Sequence, residues 1–339
     1  MSTLRRYLEN LDLGLDDDIA SLIDSRVGKI ESTVCTLPTV YKYYSANRRS
    51  FFYSPQVRFT QHAELNDPFE FSRRWQSESF VDARPMLMEK VQKGLSTVVN
   101  NVEFLSEALR EEFKSKGINL SPSQMEFLKQ FLQTPEGREF LRIGQEASAA
   151  TLGPMMDYVM KNLEERFQKQ LQNLIAQWGI FAVSESPINQ QMWSHYADNG
   201  AGFVVGFDAQ HDFFFSTAAP RRNLLRKVVY SDERVSNFWG NPYFLFLVKN
   251  SGWSYEREWR MMKELAECNE HSIVDGKDVF LCNVPREAIK EIYFGYAYDA
   301  SKIESDFSEL YRGGCETKSY KVDANRVTGQ LESQLVKIP

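Results

Sequence analysis

Short aromatic-rich pieces in two separated blocks, with the helix-like stretch 77–178 between them, set the terms on which this chain can fold. In the first block, from Val40 to Asn66, YKYY, RSFFYS and QVRF alternate with Ser, Pro and Asn, the pattern of strands and tight turns. After Gly179 the pieces GIFAVS, GFVVGF, RKVVYS, YFLFLV, SYEREWRMM, DVFLCNV and EIYFGY predict an antiparallel or mixed sheet. The intervening stretch is nearly free of Gly and Pro and rich in Glu, Lys, Gln and Leu, which predicts helices. Ser121, Pro122 and Gln124 read as a capping box opening one helix, and Thr134-Pro135 opens another. Met156, Met160, Leu163, Phe167, Leu171, Leu174 and Trp178 form one apolar stripe at helical spacing, which is core packing or a groove for a cofactor or a partner protein. The class is therefore α+β. A helical arm spans 1–36, a core domain joins 37–76 to 179–339, and 77–178 is a large helical insertion. The first strand block is too short for a core of its own, so both blocks belong to one sheet system.

Composition narrows the function classes. Hydrophobic residues make up 42% and charged residues 25%, ordinary for a globular protein, and the net charge of −6 gives no footprint for wrapping duplex nucleic acid. Cys35, Cys268, Cys282 and Cys315 have neither the density of a disulfide scaffold nor the spacing of a zinc site, which fits a reducing compartment. The start has no apolar signal core, and the run Tyr243 to Val248 falls far short of the ~20 residues a membrane helix needs. A cytoplasmic protein without a membrane partner is expected. Aromatic residues reach 13%, with 24 Phe, 15 Tyr and 6 Trp. Trp193, Trp253 and Trp259 sit beside the ionisable residues described next, so the excess marks either an aromatic sheet core or walls for a flat ligand ring.

Three boxes carry chemistry-bearing residues. In Leu65-Asn66-Asp67-Pro68-Phe69-Glu70, Asn-Asp-Pro initiates a turn by itself. Alternatively Asn66, Asp67 and Glu70 line a pocket beyond the strand pair. The second box runs from Met192 to Asp198 on a short helix that Ser186 and Pro187 can open and Gly200 can close. There Met192 and Tyr196 share a face, and His195 with Asp198 at i, i+3 is either a satisfied core pair or an oriented imidazole for proton transfer. The box has no second His at metal-ligand spacing. In the third, Trp253 to Arg260, a strand period would put Ser254, Glu256, Glu258 and Arg260 on one face, as a solvated edge or as the acidic wall of a cleft. In the cleft reading one Glu stabilises a developing cation or accepts a proton, and Arg260 holds an anion or orients the carboxylate.

Taken in order, YKYY, LNDPFE, GIFAVS with MWSHYADNGAGFVVGF, KVVY, WSYEREWR and EIYFG resemble a bacterial and phage family of unknown function similar to AbiGi-type abortive-infection proteins. More distantly, the order resembles ADP-ribosyltransferases, which place a polar residue on an early strand, a Ser- or Tyr-containing motif later and a catalytic Glu on a late strand. That resemblance implies a split sheet with NAD as substrate in its cleft. It assigns Tyr41, Lys42 and Tyr43 to the first position, Ser184 or Ser186 with Tyr196 to the second, and Glu256 and Glu258 to the third, with Glu258 as the catalytic carboxylate. No Arg or His stands on the early strand, so Lys42 or Arg48 would meet the phosphates. Breaking the nicotinamide–ribose bond develops an oxocarbenium ion, which a carboxylate stabilises and for which no metal is required. The site set is then Glu258, Glu256, His195 and Tyr196 for chemistry, with Tyr41, Lys42, Tyr43, Asn66, Asp67, Glu70, Ser184, Trp193 and Arg260 around NAD.

Three functions compete. The first is an ADP-ribosyltransferase or NAD glycohydrolase modifying a protein or nucleic acid, which the resemblance places in phage defence or toxin action. The second is a metal-dependent nuclease with Asp67, Glu70, Glu256 and Glu258 around Mg²⁺ and Lys263 nearby. The third is a non-catalytic sensor or binding module.

Overall fold

A computed structural model describes residues 35–67, 70, 84–85, 89, 101–139, 165, 168–169, 172–173, 175–214, 224–232, 244–311 and 317–336. The 1–36 arm and all but Trp178 of the Met156–Trp178 stripe lie outside them, apart from Cys35 and Thr36. The chain divides into two compact units, residues 1–18 with 74–171 and residues 19–73 with 172–339.

The second unit is built on strands. They are β1 (Thr39–Tyr44), β2 (Gln56–Gln61), β3 (Trp178–Ser184), β4 (Phe203–Asp208), the short β5 (Arg226–Lys227), β6 (Val229–Tyr230) and β7 (Val248–Lys249), then β8 (Glu258–Glu264), β9 (Glu270–Val274), β10 (Lys277–Asn283), β11 (Ile289–Phe294), β12 (Lys318–Asn325) and β13 (Gln330–Val336). Among the described residues eleven of these form one sheet in the order β13-β12-β11-β4-β1-β3-β2-β10-β9, with β8 against β3 and β5 against β8; β6 and β7 form a separate parallel pair. All ladders of the large sheet are antiparallel except β11–β12. The helix Ala300–Tyr311 connects those two parallel strands. The α+β class and the mixed sheet therefore hold.

The main core is aromatic. Phe52 and Phe203 approach to 4.6 Å between ring centroids, Phe181 stacks on Phe214, and Phe51, Phe207 and Phe294 complete the cluster. These described aromatic side chains are thus packing within the fold.

Two aromatic pieces read as strands are helical. Ser50–Tyr53 within RSFFYS is one helical turn that buries Phe51 and Phe52, and Phe244–Leu247 within YFLFLV is another. Short apolar runs suit either geometry, and here burial decides. Trp178 opens β3 instead of closing the apolar helix. In the first unit, helices Val102–Ser115 and Pro122–Gln133 are described. The second opens with the expected box, the Gln124 N–H donating to Ser121 Oγ and the Ser121 N–H to Gln124 Oε1. Thr134 Oγ1 then accepts from the Gly137 N–H, capping the next turn. Among the described residues no helix is long and apolar enough to cross a membrane.

Candidate functional site

The sheet forks at β3. Strand β1 runs beside β4 through six residue pairs, from Thr39↔Asp208 to Tyr44↔Phe203, but meets β3 at Tyr41↔Ser184 alone. Further along the same edge, β3 pairs with β2 at Ile180 and Gly179, while β8 holds its other edge throughout. Ala182, midway between Ile180 and Ser184, pairs with Arg260 of β8 but has no ladder partner on the β1/β2 edge, where its carbonyl accepts instead from Lys42 Nζ at 2.8 Å. A cleft of about 180 Å³, open to solvent, lies at this fork.

One wall of the cleft carries charge. The segment Ser251–Glu256 is a 3₁₀ helix whose Asn250 cap accepts from the Gly252 N–H. Arg257 then takes the left-handed conformation (φ 44°, ψ 54°), and β8 begins at Glu258. The third box is therefore not one strand. Glu256 leaves the end of a helix and Glu258 the start of a strand, and the Arg257 reversal brings both carboxylates onto Lys249. Ser184 Oγ donates to the Glu256 carbonyl at 2.7 Å, tying the turn to β3.

Lys249 and Arg260 organise the charges. Lys249 Nζ donates to Glu256 Oε2 at 2.7 Å, to Asn66 Oδ1 at 3.1 Å and to Glu258 Oε2 at 3.3 Å, stands 3.7 Å from Glu70 Oε1, and lies 4.8 Å from the Trp253 ring centroid. Arg260 grips Glu258 with Nε at 2.8 Å and Nη2 at 3.1 Å, reaches Glu70 Oε1 at 2.7 Å and donates to the Phe246 carbonyl at 2.7 Å. Burial pushes the Glu258 carboxyl up, but Arg260 and Lys249 more than offset this and hold it at about 2. Burial raises the Glu70 carboxyl despite Arg260. Lys249 is shifted up, because the Glu258, Glu256 and Glu70 charges together outweigh desolvation. Three carboxyl groups and two cations share this buried lattice.

Glu256 differs from Glu258. Its Oε1 accepts from the Tyr196 hydroxyl at 2.5 Å and from Asn66 Nδ2 at 3.3 Å, and Asn66 Nδ2 also reaches the Tyr196 oxygen. Desolvation and the Glu256 charge raise the Tyr196 phenol, so its proton stays in place as a donor. Tyr196 projects from the helix Gln190–Tyr196, which Asn189 opens by accepting from the Met192 N–H. The cap is thus three residues beyond Ser186.

The cleft gathers Tyr41, Lys42 and Tyr43 from β1, Asn66 from the turn, and Ser184, Tyr196, Glu256 and Glu258. Others fall elsewhere. Trp193 is fully buried, donates to the Pro187 carbonyl and packs edge-on against Tyr43, so it supports a wall without facing a ligand. His195 Nδ1 bonds the Tyr255 hydroxyl at 3.0 Å and does not line the cleft. Its expected partner Asp198 accepts from the Ala46 N–H instead, because the helix ends at Tyr196 and Asp198 (φ 48°), Asn199 (φ 51°) and Gly200 (φ 87°) turn the chain left-handed. The Glu70 N–H donates to the Asp67 carbonyl, the turn geometry read from Asn-Asp-Pro. Asp67 is buried and Glu70 and Arg260 lie behind the wall, outside the lining.

Lys249 does not figure in the sequence reading. Its signal is a lysine directly after the apolar run Tyr243 to Val248, where a charge needs partners. Tyr230 was also missed, and its hydroxyl accepts from the Glu258 N–H at 2.8 Å. Among the described residues no group of three or more His, Cys, Asp or Glu side chains is arranged to hold a metal ion. The point between Glu70, Glu256 and Glu258 is filled by the Lys249 ammonium, and Lys263 projects from the opposite face of β8 to Glu258.

A family model described as protein of unknown function (DUF2971) matches residues 192–261, the stretch carrying Tyr196, Lys249, Glu256, Glu258 and Arg260. No curated protein and no solved structure matches the chain.

Proposed function

We propose that the chain cleaves the nicotinamide–ribose bond of NAD in this cleft, with Glu256 as the carboxylate facing the reacting ribose, and passes ADP-ribose to water or to a protein or nucleic-acid acceptor. One observation carries the reading: a carboxylate oriented by Tyr196, Asn66 and Lys249 stands on the wall of a cleft opened by a forked sheet. When the glycosidic bond breaks, its electron pair leaves with nicotinamide and positive charge spreads over C1 and the ring oxygen. That charge moves from the nicotinamide ring to the ribose, so a preorganised carboxylate beside the ribose stabilises the transition state more than the bound substrate, which is the condition for lowering a barrier. Tyr196, half-buried on the cleft wall, is the aromatic ring beside Glu256. Glu258, clamped by two cations, holds Lys249 and through it Glu256, as a positioning residue. An acceptor in phage defence is the setting the resemblance to abortive-infection proteins implies.

Incubation with NAD and quantification of nicotinamide and ADP-ribose by liquid chromatography with mass spectrometry tests this. Wild type is expected to release nicotinamide, Glu256→Gln to lose about 10²–10³-fold in rate, and Tyr196→Phe to lose about tenfold. No release above a heat-denatured control overturns the proposal and favours a binding module. Cleavage of a nucleic acid that a chelator abolishes, without nicotinamide release, favours the metal-dependent nuclease.

A further inference from the structure

Lys42 lines the cleft but takes no part in the charge lattice. Its Nζ donates to the Ala182 carbonyl at 2.8 Å, 5.4 Å from the Phe181 ring centroid, and among the described residues it makes no ion pair. The gap between the β1 and β2 ladders on this edge of β3 is what leaves the Ala182 carbonyl open to the amine as its one fixed acceptor. With one N–H so held, the nitrogen is aimed and its lone pair, once the third proton is lost, is free for a ligand. Burial lowers its ammonium from 10.5 to about 8; the Glu258 and Glu256 charges oppose the shift, and Lys249 and Arg48 add to it. At pH 7.5 roughly a quarter of Lys42 is then neutral, against about a thousandth of an ordinary lysine. The charged groups facing it are Glu64 from the turn after β2, Glu256 and Glu258 across the fork, Lys249 from β7 and Arg48 beyond β1.

We infer that Lys42 is a nucleophile of this cleft, whose amine condenses with the C1 aldehyde of open-chain ADP-ribose to hold the sugar covalently as an imine. The choice of ribosyl ligand rests on the proposed function; the reactivity of the amine does not. The nitrogen lone pair forms the C1–Nζ bond, the carbonyl pair moves to oxygen to give a carbinolamine, and that oxygen departs as water with the two amine hydrogens. Nothing is oxidised or reduced. Such capture makes the protein an acceptor of its own product.

The test is to incubate the full chain with ADP-ribose and sodium cyanoborohydride at pH 7, 8 and 9, and to locate the reduced adduct by intact mass and peptide mapping. The expected result at short times is one adduct on the peptide containing Lys42, at about tenfold the occupancy of any other lysine. The adduct rises between pH 7 and 9 and is missing from folded Lys42→Arg. An adduct spread over exposed lysines, or none at Lys42 in wild type, overturns the inference. Nicotinamide release, measured on the same protein, separates the two readings. Release without a Lys42 adduct removes this inference alone, and a Lys42 adduct without release removes the proposed function alone.

Discussion

At the scale of single residues, Glu256 and Glu258 occupy different environments although one residue separates them. Arg257 makes the difference, being a non-glycine residue with φ 44° at the junction of a 3₁₀ helix and a strand. A β-branched residue there meets the full left-handed penalty, so Arg257→Val is expected to lower stability by about 1–2 kcal/mol, whereas Arg257→Gly is neutral or slightly stabilising. Urea titration of both variants checks this, and equal loss in both would show that the side chain, not the backbone, matters. Lys249→Met removes the cation shared by three buried carboxylates and is expected to cost about 3–5 kcal/mol, read from the same titration. The carboxylate pair was legible in the sequence because Glu-x-Glu beside aromatics is unusual on any strand. The left-handed residue between them was not, since Arg carries no signal for that conformation. His195 misled for a related reason: i, i+3 pairing presumes a helix through Asp198, and Ala197-Asp198-Asn199-Gly200 ends it first.

At the scale of elements, the fork at β3 makes the cleft, and it depends on close backbone approach near the helix bearing Tyr196. Gly202 accepts from the Gly295 N–H and donates to the Ala197 carbonyl, and a Cβ on Gly202 would stand 2.0 Å from the Tyr44 carbonyl oxygen at the end of β1. Gly202→Ala must push β1 away or unseat the helix. It is expected to cost about 1–3 kcal/mol and to weaken NAD turnover beyond the fraction unfolded, as measured by activity and circular dichroism on one sample. Strands β1, β3, β4, β10 and β11 were legible through their β-branched and aromatic content. The turns Ser50–Tyr53 and Phe244–Leu247 were not, because two adjacent Phe or Leu residues fit a buried helical turn as well as a strand. The hairpin β12–β13 escaped notice because QLESQLV is mostly polar and exposed, and its pairing comes from the ladder alone.

At the scale of the whole molecule, the charge lattice ties the turn after β2, the β7 segment and β8 into one body, and stability should report its titration. The Glu258 carboxyl is held at about 2 in the folded chain against an ordinary 4.5, so its contribution is fully present above pH ~4.5 and disappears as pH falls toward 2. Glu70, whose carboxyl is raised by burial, acts in the opposite sense. Wild type is therefore expected to lose stability steeply below pH 4.5. Glu258→Gln, already less stable by about 3–5 kcal/mol at pH 7 because Arg260 loses its bidentate partner, is expected to show a shallower acid slope. Thermal melts from pH 7 to pH 3 give both numbers. Among the described residues Phe51, Phe52, Phe181, Phe203, Phe207 and Phe294 go into the sheet core, and the aromatic residues lining the cleft are Tyr41, Tyr43 and Tyr196.

The division of labour between the two glutamates is tested most directly by measuring nicotinamide release and melting temperature side by side for Glu256→Gln and Glu258→Gln. Glu256→Gln is predicted to keep most of its melting temperature and lose about 10²–10³-fold in rate, while Glu258→Gln melts well below wild type. An active, fully folded Glu256→Gln protein would contradict the assignment of Glu256 to the reacting ribose.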